Sequence, residues 1–179
     1  HLDVDAHRQY LPAWQEDAND PKLVSSVERT QHEAGYINDL AMARCARQRI
    51  NFVVDGTMRK AEHTQRNIQR MREESAQWKN CGARGNLMMR PLRVTIVFVA
   101  ADVDVCLERV ALRTAETGRP VVKECNQQCR ESVKALSKRV NLFTHLKNNR
   151  DGLKFVAGSA QELKAFAFSA PHKLGRVWV

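Results

Sequence analysis

"VVDGTMR", residues 53–59, decides how the rest of the chain is read. The apolar run "INFVV" (50–54) leads straight into a carboxylate (Asp55), a glycine, a hydroxyl (Thr57) and a guanidinium (Arg59). A buried strand that stops at a helix cap accounts for Asp, Gly and Thr, because all three are favoured at caps and turns. It leaves open why a negative charge, a donor and a positive charge should gather at one strand end. The remainder of the chain has to supply that reason.

Short apolar runs alternate with longer helical patterns, which predicts βαβ units and an α/β fold with a mainly parallel sheet flanked by helices. The candidate strands are "LDVD" (2–5), "INFVVD" (50–55), "VTIVFVA" (94–100) and "LKFVAG" (153–158). The last three are rich in Val, Ile and Phe with little alternation, as fits a sheet covered on both faces. Residues 22–49 read as one or two helices anchored by Val24, Val27, Ile37, Leu40 and Met42. Residues 60–78 form a largely polar helix, and residues 102–116 a helix capped by Asp102 or Asp104 with Val105, Leu107, Val110 and Leu112 inward. "ECNQQCRESVKALSKRVNLFTHLKNN" (124–149) reads as one long helical stretch. "KNCGARGNLMMRPLR" (79–93) is expected to be an inserted surface loop within a single domain spanning 1–179, and "SAPHKLGRVWV" (169–179) has no readable role.

Composition narrows the class. With 179 residues the chain suits one domain with a sizeable core. A net charge of +9 points to an anionic ligand. The basic residues are dispersed and only 6% of residues are aromatic, so base-stacking platforms are scarce and a nucleic-acid partner is disfavoured. The longest apolar run, "VTIVFVAA", is well short of the ~20 residues that span a bilayer. Five cysteines, without framework spacing, point to a reduced, cytoplasmic compartment. Cys125 and Cys129 share a helix face, but no further Cys or His pair completes a zinc set, and no metal ligand is assigned.

In an open parallel sheet, ligands bind beyond the carboxyl ends of the strands. "LDVD" ends at Asp5 and "FVVD" at Asp55, so both carboxylates are expected to face one crevice, with Thr57 and Arg59 beside the second. Further on, Arg109 and Arg113 are four apart on one helix face, and Gly118 permits a turn that returns Arg119 toward them. Three guanidiniums converging in this way suit a polyphosphate.

Taken together, "LDVDAHRQYLP", "TQHEA", "NFVVDGTMR" and "ERVALRTAETGRPV", in this order and at these intervals, resemble the zeta-toxin family of P-loop kinases, whose bacterial members phosphorylate UDP-N-acetylglucosamine. The resemblance runs over roughly residues 2–142 and implies a three-layer P-loop-kinase-like sandwich that uses ATP and Mg2+ to phosphorylate a hydroxyl of a small polar substrate. It makes Asp5 the base that takes the hydroxyl proton. Arg8, Glu33, Asp55, Thr57 and Arg59 become substrate contacts, and Arg109 and Arg119 the arginines that clamp phosphate and stabilise transferring charge, with Arg113 as a helper. Bacterial members often carry Glu where Asp55 stands, so the carboxylate here is retracted by one carbon.

A P-loop kinase also needs G-x-x-x-x-G-K-[ST], and the sequence contains none; "GARGN" (82–86) lacks the lysine. Because the chain begins at His1, in the region the family places after its P-loop strand, a domain truncated at its N-terminus and inactive alone is expected. Loss of that central strand would leave an apolar slot and unpaired backbone groups. Two other classes stay open: another small-molecule or nucleoside kinase of the superfamily, and a non-catalytic protein binding nucleic acid or another anion. An antitoxin-like partner is not readable from the residues.

Overall fold

The computed structural model describes residues 1–17, 29–76, 91–117 and 124–168. Within them the protein is a mixed α/β structure whose strand pairings are mostly parallel, divided into two compact units: His1–Met58 with Glu62–Leu92, and Arg59–Ala61 with Arg93–Val179. No helix among the described residues is long and apolar enough to cross a membrane.

The first unit is built on a parallel pair, β1 (Leu2–Asp3) and β2 (Val54–Asp55), with Leu2 opposite Val54 and Asp3 opposite Asp55. Strand β1 is shorter than expected. The Asp3 side chain accepts a hydrogen bond from the Asp5 amide at 2.8 Å and so caps α1 (Val4–Arg8), which ends the strand two residues early. Pro12 opens α2 (Pro12–Asp17), where its missing N–H is harmless.

Helix α3 (Gln31–Arg47) buries Ala34, Asn38, Met42, Ala43 and Ala46. Of the anchors expected here only Met42 is buried. Ile37 is 37% and Leu40 48% exposed, and Val24 and Val27 lie outside the described residues. The inward stripe is small because Met42, Ala43 and Ala46 pack closely against Met71 of α4 (Ala61–Ala76), with Leu2, Phe52 and Leu92 around them. Helix α3 ends in a Schellman arrangement, with Ile50 N–H bonded to the Cys45 carbonyl at 3.0 Å and Arg49 N–H to that of Ala46 at 3.2 Å. Arg49 holds the left-handed position, φ 57°, that glycine usually takes, and its guanidinium donates to the fully buried Ser75 hydroxyl at 2.6 Å.

The second unit carries a sheet of order β3-β4-β5: β3 (Thr95–Ala100) parallel to β4 (Leu142–Asn149), which is antiparallel to β5 (Gly152–Ala157). Strand β4 corrects the expected long helix. Helix α6 (Glu124–Leu136) stops in a 3-10 turn at Ser137–Arg139. The next residues bury Thr144 and Leu146 at a period of two, not 3.6. A tight turn then returns the chain as β5, with Gly152 supplying a φ of 98°, so the last expected strand exists but runs antiparallel.

Helix α5 (Val103–Thr117) starts after Asp102, whose carbonyl accepts from Cys106 N–H at 2.9 Å. Val105 faces inward as expected, whereas Leu107 and Leu112 are 42% and 66% exposed. Strand β3 lies at a sheet edge with Val97 and Val99 exposed, as Val53 and Val54 are around β2 in the first unit. Ser159 caps α7 (Ala160–Phe168) by accepting from Glu162 N–H at 3.1 Å. Most of the basic loop (residues 79–90 of 79–93) and the tail 169–179 lie outside the described residues.

Gly158 links β5 to α7 at φ 78°, and a Cβ there would meet the fully buried Thr144 side chain at 3.0 Å. Gly158→Ala should lower stability by about 1–3 kcal/mol in urea unfolding, with partial rescue by Thr144→Ala. Burial, with the Arg130 charge adding, pushes His145 below its ordinary value near 6.5. The folded form therefore favours neutral His145, and its contribution to stability is present above about 6.5 and lost as pH falls from there through the lower folded value. Thermal unfolding followed between pH 7.5 and 5 should show that loss, and His145→Phe, which keeps the ring against Phe98, should flatten it.

Candidate active site

In the first unit a polar cluster is assembled around Arg8. The side chain is 3% exposed. Its Nε donates to Asp5 Oδ1 at 2.9 Å, Nη1 to Thr30 Oγ1 at 3.1 Å and Nη2 to Gln31 Oε1 at 2.5 Å. Thr30 is itself buried. The guanidinium thus ties α1 to the start of α3 and holds the Asp5 carboxylate, which is 56% exposed, against its own helix. A buried guanidinium is tolerable because each nitrogen meets an oxygen. Glu33 stands exposed in the first turn of α3, two residues beyond Gln31.

Asp55 ends β2, and because β1 and β2 are parallel with Asp3 opposite Asp55, the α1 turn bearing Asp5 leaves from the same end of the pair. Asp5 is thus in a helical turn just past its strand and not on the strand itself. The Asp55 carboxylate is 68% exposed, with His1 Nε2 at 3.7 Å from Oδ2. Gly56 and Thr57 are exposed, and Met58 takes φ 50°, an uncommon conformation for a residue with a side chain. Backbone held in this way tends to occur at functional sites.

Of the other residues expected to be functional, Arg59, Arg109 and Arg113 belong to the second unit and are described there by themselves. Arg59 uses its carbonyl to accept from Ser132 Oγ at 2.8 Å. Arg109, exposed on α5, donates through Nη1 to the Asn148 carbonyl at 2.9 Å, and Arg113 is exposed one turn later. Arg119 lies outside the described residues. The bond from Arg109 is part of a wider attachment of α5 to the β4–β5 turn. Asp102 bonds Lys147 at 2.7 Å and Asn149 at 2.6 Å, and Arg150 pairs with Glu108. The hydrogen bonds from Lys147 and then Asn149 hold Asp102 below the usual carboxylate range.

Sequence reasoning expected Asp5 and Asp55 to end strands; Asp55 does end β2, whereas Asp5 lies in the first turn of α1. It did not find Thr30 and Gln31 as partners of Arg8, although both lie in or beside the "TQHEA" motif. Nor did it find Asn148, whose contribution is a backbone carbonyl and leaves no mark on residue type.

A parallel strand pair ending in acidic residues, with a buried arginine fixing one carboxylate, defines an α/β protein with a strand-end polar site. Residues 1–79 match the model of the Zeta toxin family, and this span contains Asp5, Arg8, Glu33, Asp55, Thr57 and Arg59. The arginines 109, 113 and 119 lie beyond the matched span. No curated protein and no solved structure matches the chain.

Arg8→Ala should cost about 2–4 kcal/mol, because it removes a buried cation together with its bonds to Asp5, Thr30 and Gln31. Arg8→Lys should recover little of this loss, since one ammonium cannot reproduce the planar fork that meets Asp5, Thr30 and Gln31. Denaturant unfolding of the two variants beside the parent chain measures both effects.

Proposed function

We propose that this chain supplies the acceptor side of an ATP-dependent phosphotransferase of zeta-toxin type, acting on a hydroxyl of a small polar molecule, with a UDP-amino sugar as the first substrate to test. The observation that carries the reading is the Asp5 carboxylate, solvent-accessible yet tethered by the buried Arg8, at the same end of the parallel pair as Asp55. A base must be held within hydrogen-bonding reach of the proton it takes, and must remain open to the substrate. The bond from Arg8 to Asp5 and the exposure of its carboxylate support that role. In this reading it accepts the proton of the acceptor hydroxyl, leaving the oxygen as nucleophile. Arg8 is a positioning residue that sets the direction of the carboxylate. Asp55 and Thr57 accept from and donate to neighbouring hydroxyls, and Glu33 and Arg59 complete the substrate contacts.

The nucleotide side is different. The sequence has no glycine-rich lysine loop, and Arg109 is bonded to the Asn148 carbonyl. Arg109, Arg113 and Arg119 are proposed for the phosphate side on the strength of the resemblance, and Arg109 would have to leave Asn148 to act there.

Isothermal titration of the 179-residue chain with UDP-N-acetylglucosamine should show saturable binding. Asp55→Asn should weaken it about tenfold, and Asp5→Asn should leave it within about threefold, as expected for a group that acts mainly in the transition state. Mixed with ATP and Mg2+, the chain should transfer no measurable phosphate. Preceded by a strand–lysine-loop–helix unit it should do so, and Asp5→Asn should then lower kcat by about 10²–10⁴. Transfer that survives Asp5→Asn unchanged would remove the base assignment.

A further inference from the structure

Within the first unit, the far end of α3 carries a second basic feature that the acceptor site does not use. Leu40, Ala43, Arg44, Arg47 and Gln48 of α3 and its cap line, with Arg70 of α4, an open cleft of about 330 Å³. At ~1.5 Å per residue, the length of α3 separates Arg47 from Gln31, beside the acceptor site, by roughly 24 Å. The two features are therefore at opposite ends of one helix.

Three guanidiniums around one cleft repel one another unless something negative lies between them. Among the described residues, the carboxylate paired with one of them is Glu74. Glu74 is held by Arg47 in a paired contact, Nε to Oε2 at 2.5 Å and Nη2 to Oε1 at 3.1 Å, and that contact holds Glu74 below the usual carboxylate range. The guanidiniums of Arg44 and Arg70 make no hydrogen bond or ion pair with any described residue, although the Arg70 charge adds to the pull of Arg47 on Glu74. Arg44 and Arg47 stand in the last turn of α3, where the helix dipole favours cations. That reason does not extend to Arg70, in the interior of α4. Leu40, 48% exposed, and Ala43 give the cleft an apolar side.

We infer that this cleft is an anion site, distinct from the acceptor site, which takes the diphosphate group of a small organic phosphate. Planar guanidiniums from two helices match paired phosphate oxygens, and the volume falls within the range of small-ligand sites. Leu40 and Ala43 receive the organic part. Glu74 is the internal competitor for Arg47, so the ligand binds by displacing it.

The test uses pyrophosphate as probe on the full chain, followed by arginine side-chain N–H resonances and by calorimetry. Saturable binding that moves the Arg44, Arg47 and Arg70 signals is expected. Arg44→Ala combined with Arg70→Ala should weaken it at least about tenfold, whereas Arg66→Ala, on α4 outside the lining, should not. Glu74→Gln should tighten binding by up to about fivefold by freeing Arg47, the opposite of what loss of a merely structural ion pair would do. Absence of saturable binding, weakening by Glu74→Gln, or loss of binding on Arg109→Ala in place of the Arg44 and Arg70 changes would each overturn the assignment. UDP-N-acetylglucosamine also carries a diphosphate, so the two sites are told apart by their variants: its Asp55-dependent binding should survive Arg44→Ala combined with Arg70→Ala, whereas pyrophosphate binding should not.

Discussion

The first unit depends on one buried cation. Arg8 lies at the end of a five-residue helix too short to persist alone, and its guanidinium joins that helix to Thr30 and Gln31 at the start of α3. Without this tie, α1 loses its side-chain link to the start of α3, and Asp5 would move with it. The constraint also explains why the carboxylate is exposed. An ionised group that was buried as well would need further partners, whereas a half-exposed one needs only a fixed geometry.

A comparable logic holds the second unit together at the opposite end of the size scale. Helix α5 is attached to the β4–β5 turn by many weak polar contacts: Asp102 to Lys147 and Asn149, Glu108 to Arg150, Arg109 to the Asn148 carbonyl. Each is exposed and individually small. Their shared effect is to keep the arginine face of α5 in register with the turn, so that any ligand drawing Arg109 away would act against this local network.

Much of this was legible in the sequence where one residue type had one physical role. Asp55 closing an apolar run, the polar α4 and the Asp102 start of α5 follow from local chemistry. Reading failed where two periods competed. Leu136, Val140 and Phe143 continue a helical pattern beyond α6, yet Thr144 and Leu146 obey the strand period, and pairing with β3 decided the matter. In "LDVD" either aspartate could have ended the strand, and the capping bond of Asp3 selected the earlier one. The inward stripe of α3 was hidden because alanine and asparagine carry little hydrophobic signal, while the larger Ile37 and Leu40 turned outward. The cleft of Arg44, Arg47 and Arg70 was invisible for another reason: it exists only once two helices lie side by side.

The end of α3 also has an evolutionary consequence. Arg49 occupies a backbone conformation that glycine adopts without strain, yet its guanidinium satisfies the hydroxyl of Ser75, which is wholly buried. Glycine at 49 would relax the backbone while orphaning that hydroxyl, and alanine at 75 would remove the need for the arginine while retaining the strain. Either change alone therefore trades one defect for another, and only the pair removes both. Drift at these two positions should be coupled, with Arg–Ser and Gly–Ala combinations tolerated and the mixed pairs rare, although 26 residues of sequence separate them.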